Sequence, residues 1–196
     1  GDQKVSLAIR QGRNSSMWKA IEAVKESDAD GIVSAGNTGA LMAMAKLNMR
    51  TLPGIDRPAI CSLFPNKVGE TAMLDLGANA QCDVRNLVEF AVMGACFTRA
   101  LTGLDRPRVG LLNIGTEDLK GTDLLRDAAA ILQAADLHID FHGFIEGDDI
   151  TAGTVDVVVT DGFTGNVSLK TAEGTARLYT EFLKSAFMSS TMAKLG

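Results

Sequence analysis

Three times along this chain of 196 residues, a short apolar stretch runs into a turn of small polar residues and then into a helical pattern. The turns are Ala35-Gly36-Asn37-Thr38-Gly39, Gly77-Ala78-Asn79 and Gly162-Phe163-Thr164-Gly165-Asn166. This alternation constrains the fold more than any other feature. Parallel strands cannot be joined by a hairpin and need a crossover, usually a helix. Strands alternating with helices therefore imply an α/β domain with a mostly parallel sheet flanked by helices. The length fits one such domain.

The remaining elements follow the same rhythm. Ser15–Glu26 has a serine cap and places Met17, Ile21 and Val24 on one face, which predicts a helix. Gly31–Ser34 reads as a short buried strand and Ala40–Met49 as a helix. Ala59–Phe64 and Thr71–Leu76 read as strands whose link is too short for a crossover, so this pair is expected to be antiparallel. A long helix follows from about Val84 to Leu101. Then come a strand at Arg108–Asn113, a Gly-bounded loop at Ile114–Gly121 and a helix at Thr122–Ala135. Strands at Ile139–Gly143 and Thr154–Thr160 precede a long helix from about Val167. Gly103-Leu104-Asp105-Arg106-Pro107 is the one candidate joint between subdomains.

Composition removes several functions. The net charge is −5 with no basic stripe, which argues against nucleic acid as a partner. The longest unbroken run without a polar side chain, Phe90–Phe97, is far too short to span a bilayer. Gly1–Lys4 is polar and is not expected to start a signal peptide. Cys61, Cys82 and Cys96 cannot all pair with one another, and small buried reduced thiols are the expected state. His138 and His142 bracket a strand, and with Asp140 they form a solvated sheet end rather than a metal site. No metal is expected.

The turns carry the chemistry. In a parallel sheet they lie at the carboxyl edge, where open α/β folds bind ligands. Backbone N–H groups at helix starts attract anions, and small residues let an anion approach them. Glycine and asparagine also simply suit positive φ at tight turns. A phosphate or carboxylate site is the functional reading. The common phosphate-loop, dinucleotide, esterase and zinc-protease signatures are absent. Lys120, Asn166, Asp118 and Asp161 are the polar groups left for catalysis.

Four stretches now add up to a resemblance. Ser34-Ala35-Gly36-Asn37-Thr38-Gly39-Ala40 and Leu74-Asp75-Leu76-Gly77-Ala78-Asn79 are two of them. The others are Leu112-Asn113-Ile114-Gly115-Thr116-Glu117-Asp118-Leu119-Lys120-Gly121 and Val159-Thr160-Asp161-Gly162-Phe163-Thr164-Gly165-Asn166. In this order they resemble the PlsX family of bacterial phosphate acyltransferases, from about Arg10 onward. Members of that family are longer at both ends, so 1–196 is expected to be one α/β catalytic domain from the central part of a longer protein. The resemblance implies a Rossmann-like three-layer fold of the isocitrate and isopropylmalate dehydrogenase type.

It also implies an activity, the transfer of a fatty acyl group from acyl-ACP to inorganic phosphate for phosphatidic acid and phospholipid synthesis. Lys120 and Asn166 match the family's proposed catalytic positions, and no cofactor is implied. Gly36, Asn37, Thr38, Gly39, Asn79, Gly162, Thr164 and Gly165 are the expected substrate and phosphate contacts. The implied partners are acyl-ACP, inorganic phosphate, a second copy in a homodimer, and a membrane surface with its glycerol-3-phosphate acyltransferase. The implied location is cytoplasmic and peripherally membrane-associated. Ala172, Ala176, Tyr179, Phe182, Leu183, Ala186 and Phe187 form one helical stripe. Its first half is expected to pack on the core or a dimer partner, and its tip near Phe187 and Met192 to touch the membrane beside Lys184 and Lys194. A phosphate acetyltransferase-like enzyme using acyl-CoA, a dehydrogenase of the implied fold type and a non-catalytic fragment are the alternatives.

Overall fold

A computed structural model describes residues 12–117 and 119–188. Asp118, Met192 and Lys194, named above, lie outside the described residues. After a single 3-10 turn at Gly12–Asn14 come α1 (Ser16–Lys25) and α2 (Thr38–Met49), which pack on each other. Both start where the sequence offers a cap. Ser15 Oγ accepts from Trp18 N at 3.2 Å, and Asn37 Oδ1 accepts from Ala40 N at 3.0 Å. The chain continues through β1 (Cys61–Asn66), β2 (Gly69–Leu74), α3 (Val84–Thr102), β3 (Arg108–Leu112) and α4 (Asp123–Ala134). It ends with β4 (Asp140–Ile145), α5 (Gly147–Ala152), β5 (Val157–Val159) and α6 (Gly162–Met188).

Among the described residues five strands form one sheet in the order β1-β2-β5-β3-β4. As expected, β1 and β2 are antiparallel, and every other pair is parallel. The alternation of side chains along each strand divides the core into two layers. Val157 and Val159 of β5 face α3 and α4, where Leu87, Phe90, Ala91, Ala128 and Leu132 are buried. Val158 faces the opposite side with Met73, Leu76, Ile145 and Ile150, covered in part by Leu169 of α6. At the start of the sheet the Asp156 carboxylate accepts from Arg108 N, Nε and Nη2, joining β3 to β5.

Several elements differ from the sequence reading. Gly31–Ser34 is not a strand, and Val33 is fully exposed. A strand needs a neighbour to take its backbone hydrogen bonds, and among the described residues Gly31–Ser34 has no ladder partner. The strand expected at Thr154–Thr160 contracts to the three valines of β5, and α5 was not expected at all. Cys96 is exposed on the outer face of α3, while Cys61 and Cys82 are half-buried and free. His138, Asp140 and His142 are exposed, in line with a solvated sheet end.

The largest correction is that α6 begins at Gly162, so Gly162–Asn166 is helix rather than turn. Asp161 caps this helix. Its carboxylate accepts from Thr164 N (2.9 Å) and Thr164 Oγ1 (2.7 Å). From Gly174 onward every described residue of α6 is exposed, including Tyr179, Phe182, Leu183 and Phe187. Of the two packings expected for Ala172–Tyr179, on the core or on a dimer partner, the first is not found, because the helix leaves the sheet after its first turns. Among the described residues no helix is long and apolar enough to cross a membrane.

Two glycines of α6 should respond oppositely to a methyl group. A Cβ on Gly165 would run into the carbonyl oxygen of Asp75, whereas a Cβ on Gly174 meets nothing within 4 Å. Gly165→Ala should cost about 1–3 kcal/mol through forced displacement of the helix. Gly174→Ala should stabilise by up to about 1 kcal/mol through helix propensity. Urea denaturation midpoints of the two variants test the contrast, and equal midpoints would contradict the packing described.

Candidate functional site

The site grows from Asp75, the residue after β2. Its carboxyl group is wholly buried and accepts four hydrogen bonds. Oδ1 takes Ile60 N (2.9 Å) and Ala78 N (3.0 Å). Oδ2 takes Asn79 N (2.7 Å) and Asn79 Nδ2 (2.9 Å). The Gly77-Ala78-Asn79 turn is thus wound around one side chain. Gly77 has φ +126°, a conformation that favours glycine. The carbonyl of Asn79 in turn accepts from Gly162 N (2.9 Å), which fixes the first residue of α6 on the turn.

The loop after β3 is organised by Asn113. Its Oδ1 accepts from Ile114 N (2.9 Å), and its Nδ2 donates to the carbonyl of Lys120 (3.2 Å). Gly121, at φ +81°, lies so close that any Cβ would strike the Asn113 amide. Arg126 donates to the carbonyl of Gly121 (2.9 Å), and Thr122 caps α4. The loop is therefore folded back on the strand that precedes it.

These segments enclose a cleft of about 710 Å³. Ala80, Gln81 and Cys82 come from the segment after β2, while Leu112, Asn113 and Ile114 come from the end of β3. Gly121, Thr122, Leu124 and Leu125 come from the start of α4, and Asp161 and Thr164 from the start of α6. Leu87 closes the floor. A second cleft of about 310 Å³ borders the 77–79 turn, lined by Gly39, Lys46, Arg57, Gly77 and Asn79 among others. Its cations are already engaged. Lys46 Nζ donates to the Asp56 carbonyl (2.7 Å), and Arg57 Nε donates to Asp56 Oδ2 (3.1 Å).

The sequence-predicted residues divide between these places. Thr164 lines the large cleft, and Gly39 and Asn79 line the small one. Gly36, Asn37 and Thr38 are exposed at the start of α2, with the Asn37 side chain occupied in capping. Gly162 and Gly165 are buried against the backbone of Asn79 and Asp75, so they serve close packing. Asn166 is exposed, donates Nδ2 to the Leu76 carbonyl (3.2 Å) and stands against Gly77. Lys120 is exposed on the loop that Asn113 holds, outside the lining of either cleft. Sequence reasoning gave no role to Asp75, although an acid between an apolar strand and a Gly turn is a visible signal. It also missed Leu124 and Leu125, which read as the core face of a helix.

Cys82 lies in the wall of the large cleft. Burial pushes its thiol up to about 11. A hydrogen bond from the Gly162 backbone acts the other way, and the nearby carboxyl groups of Asp75 and Asp161 add to the rise. At neutral pH this thiol is protonated and a poor nucleophile. Exposed Cys96 should therefore be alkylated by a maleimide well before Cys82. The Cys82 rate should climb about tenfold per pH unit up to pH near 11, as its thiolate fraction grows. Mass spectrometry of labelled peptides checks both points, and fast Cys82 labelling at pH 7 would contradict this environment.

This fold has counterparts among solved structures. The fold is similar to that of the EutD phosphotransacetylase from Staphylococcus aureus, with TM-score 0.64 and 21% identity, covering 87% of this chain and 62% of that one. A branched-chain phosphotransacylase from Enterococcus faecalis V583 gives TM-score 0.53 and 17% identity, over 79% and 62% of the two chains. Residues 1–196 match the family described as fatty acid synthesis protein, and the chain belongs to that family. Among its relatives is a phosphate acyltransferase from Rhodospirillum rubrum, 65% identical over all of this chain and 56% of that protein. Another, from Paramagnetospirillum magneticum, is 62% identical over the same shares. The chain spans little more than half the length of these relatives.

Proposed function

We propose that this chain carries the acyl-transfer site of a phosphate acyltransferase that moves a fatty acyl group from acyl-ACP to inorganic phosphate, for phospholipid synthesis. The observation that carries the reading is the cleft where the segments following β2, β3 and β5 meet. The names of the relatives support acyl transfer to a phosphate acceptor as the reaction class. An oxygen of inorganic phosphate attacks the thioester carbonyl carbon. The C–S bond breaks, acyl-phosphate forms and the ACP thiol leaves. Phosphate is itself a nucleophile near neutral pH, so the reaction requires oriented donors more than a strong base.

In this reading phosphate occupies the small cleft, near the positive end of α2 at Gly36–Gly39. The Asn79 donors are bound to Asp75 and to the Pro58 carbonyl, so Asn79 shapes the cleft instead of binding phosphate. The family resemblance assigns Lys120 a point charge for phosphate or the developing oxyanion, and it stands on the loop whose ends, Ile114 and Gly121, line the large cleft. Asn166, standing against Gly77 at the edge of that cleft, supplies an amide donor. Removal of one preorganised donor costs about 10²- to 10³-fold in rate. Lys120→Ala and Asn166→Asp should each lower turnover of acyl-ACP by that order in the intact protein, with circular dichroism unchanged. Near-normal turnover would remove the residue from the catalytic set.

The likeness to phosphotransacetylase folds favours a second reading, in which the donor is an acyl-CoA. Phosphate-dependent thiol release from acyl-ACP but not from acetyl-CoA supports the first reading, and the reverse supports the second. Assembly belongs to the same proposal. The bare apolar side of α6 suits a partner protomer along Tyr179, and an anionic bilayer surface at Phe187 and Met188, where product would pass to a membrane acyltransferase. Phe187→Glu with Met188→Glu should abolish sedimentation with anionic liposomes. Unchanged sedimentation would place membrane contact elsewhere.

A further inference from the structure

The large cleft is not uniform. Leu87 and Leu112 are buried at its floor beside Asn113, whose amide is bound to Ile114 N and the Lys120 carbonyl, and Leu124, Leu125 and Cys82 form half-buried walls. Polar groups gather at its edge, where Thr122 and Thr164 are exposed and Asp161 is half-buried. Asp161 and Thr164 are bonded to each other there, so the edge is ordered. The Cys82 thiol is protonated at neutral pH, so the wall it joins carries no charge. An apolar floor below a polar edge suits a ligand with an unbranched hydrocarbon tail and a polar head, since each buried methylene gains free energy without needing a partner. A nucleotide or sugar would leave hydroxyl and ring groups unpaired against leucine.

We propose that the hydrocarbon chain of the acyl donor lies along the floor of this cleft, and that Leu124 and Leu125 set the longest chain it accepts. The inference rests on the proposed acyl-transfer reading and adds the position of the tail and the residues that measure it. The two leucines are suited to that task by their place. They sit in the first turn of α4, which is fixed by the Thr122 cap and by the Arg126 bond to the Gly121 carbonyl. They also pack against the buried layer under α3 and α4, so the wall they make is firm.

Two measurements on the intact protein test this. The first compares kcat/KM for butyryl-ACP, octanoyl-ACP and palmitoyl-ACP in Leu124→Trp and Leu125→Trp. A filled floor should lower the palmitoyl-to-butyryl ratio by about tenfold or more, the scale on which apolar pockets discriminate by size. A structural defect would lower all donors together and leave the ratio unchanged, which would overturn the assignment of these leucines. The second needs no turnover and no bulky substitution. In a Cys61→Ala, Cys96→Ala background without phosphate, palmitoyl-ACP should slow alkylation of Cys82 by N-ethylmaleimide about tenfold, and butyryl-ACP much less. Equal labelling with and without palmitoyl-ACP would overturn the tail position. Protection of Cys82 without turnover of any acyl-ACP would instead reject the proposed reaction while keeping the cleft as an acyl site.

Discussion

One buried carboxyl group ties the functional edge of this protein together. Asp75 receives two hydrogen bonds on each oxygen, all from neutral donors and none from a cation. Removing it would strand backbone N–H groups in a buried place, at about 1–3 kcal/mol for each unsatisfied donor. Its main chain is equally committed. Asp75 N donates to the Thr160 carbonyl (3.0 Å), and Thr160 N donates to the Leu74 carbonyl (2.6 Å). Gly162 and Gly165 lack side chains at the points where α6 crosses Asp75 and Asn79. The end of β2, the 77–79 turn and the start of α6 are therefore one packed unit, and none can move alone.

The strand order explains why a cleft opens beside that unit. The chain lays down β2, passes through α3, and places β3 two positions away. It returns only at the end to insert β5 between them, with Val157–Val159 bonded to both neighbours. The helices that follow β2 and β3 lie on one face, whereas α6 leaves β5 towards the other. Crevices at the carboxyl ends of parallel strands form where connections diverge in this way. Residues 80–82, 112–114 and 161–164 meet there because of topology, although they are far apart in sequence.

How much of this was readable from the residues depends on what each signal measures. Caps such as Ser15, Asn37 and Thr122 are local, and the helices they begin were legible. The antiparallel β1–β2 pair was legible because a short link permits nothing else. Gly31–Ser34 looked like a strand because an apolar run after a turn has that pattern, but pairing is not a local property. Gly162 and Gly165 were read as a turn because glycine usually relieves backbone strain. Here glycine permits close approach to Asp75, which only the tertiary contact reveals. The turns that border the clefts were visible, while the apolar wall was not, since Leu124 and Leu125 fit equally well as core positions of an amphipathic helix. The roles of Lys120 and Asn166 came from family resemblance, not from spacing.

The geometry of the two clefts gives the proposed reaction a specific constraint. They are neighbours along one stretch of chain, for Gly77–Asn79 lines the small cleft and Ala80–Cys82 lines the large one. Lys46 and Arg57 in the small cleft are already bound to Asp56, so an anion there gains less from them than from the amides at the start of α2. Amides are weaker attractors than free cations, but they are fixed in direction and need no rearrangement as charge moves. In the proposed reaction phosphate and thioester are held by successive segments of one stretch of chain, residues 77–79 and 80–82. The rigidity that Asp75 imparts to this turn then bears on rate as well as stability. A shift of about 1 Å between reacting groups can cost on the order of 10²-fold, and the packing of α6 on Asp75 resists such a shift.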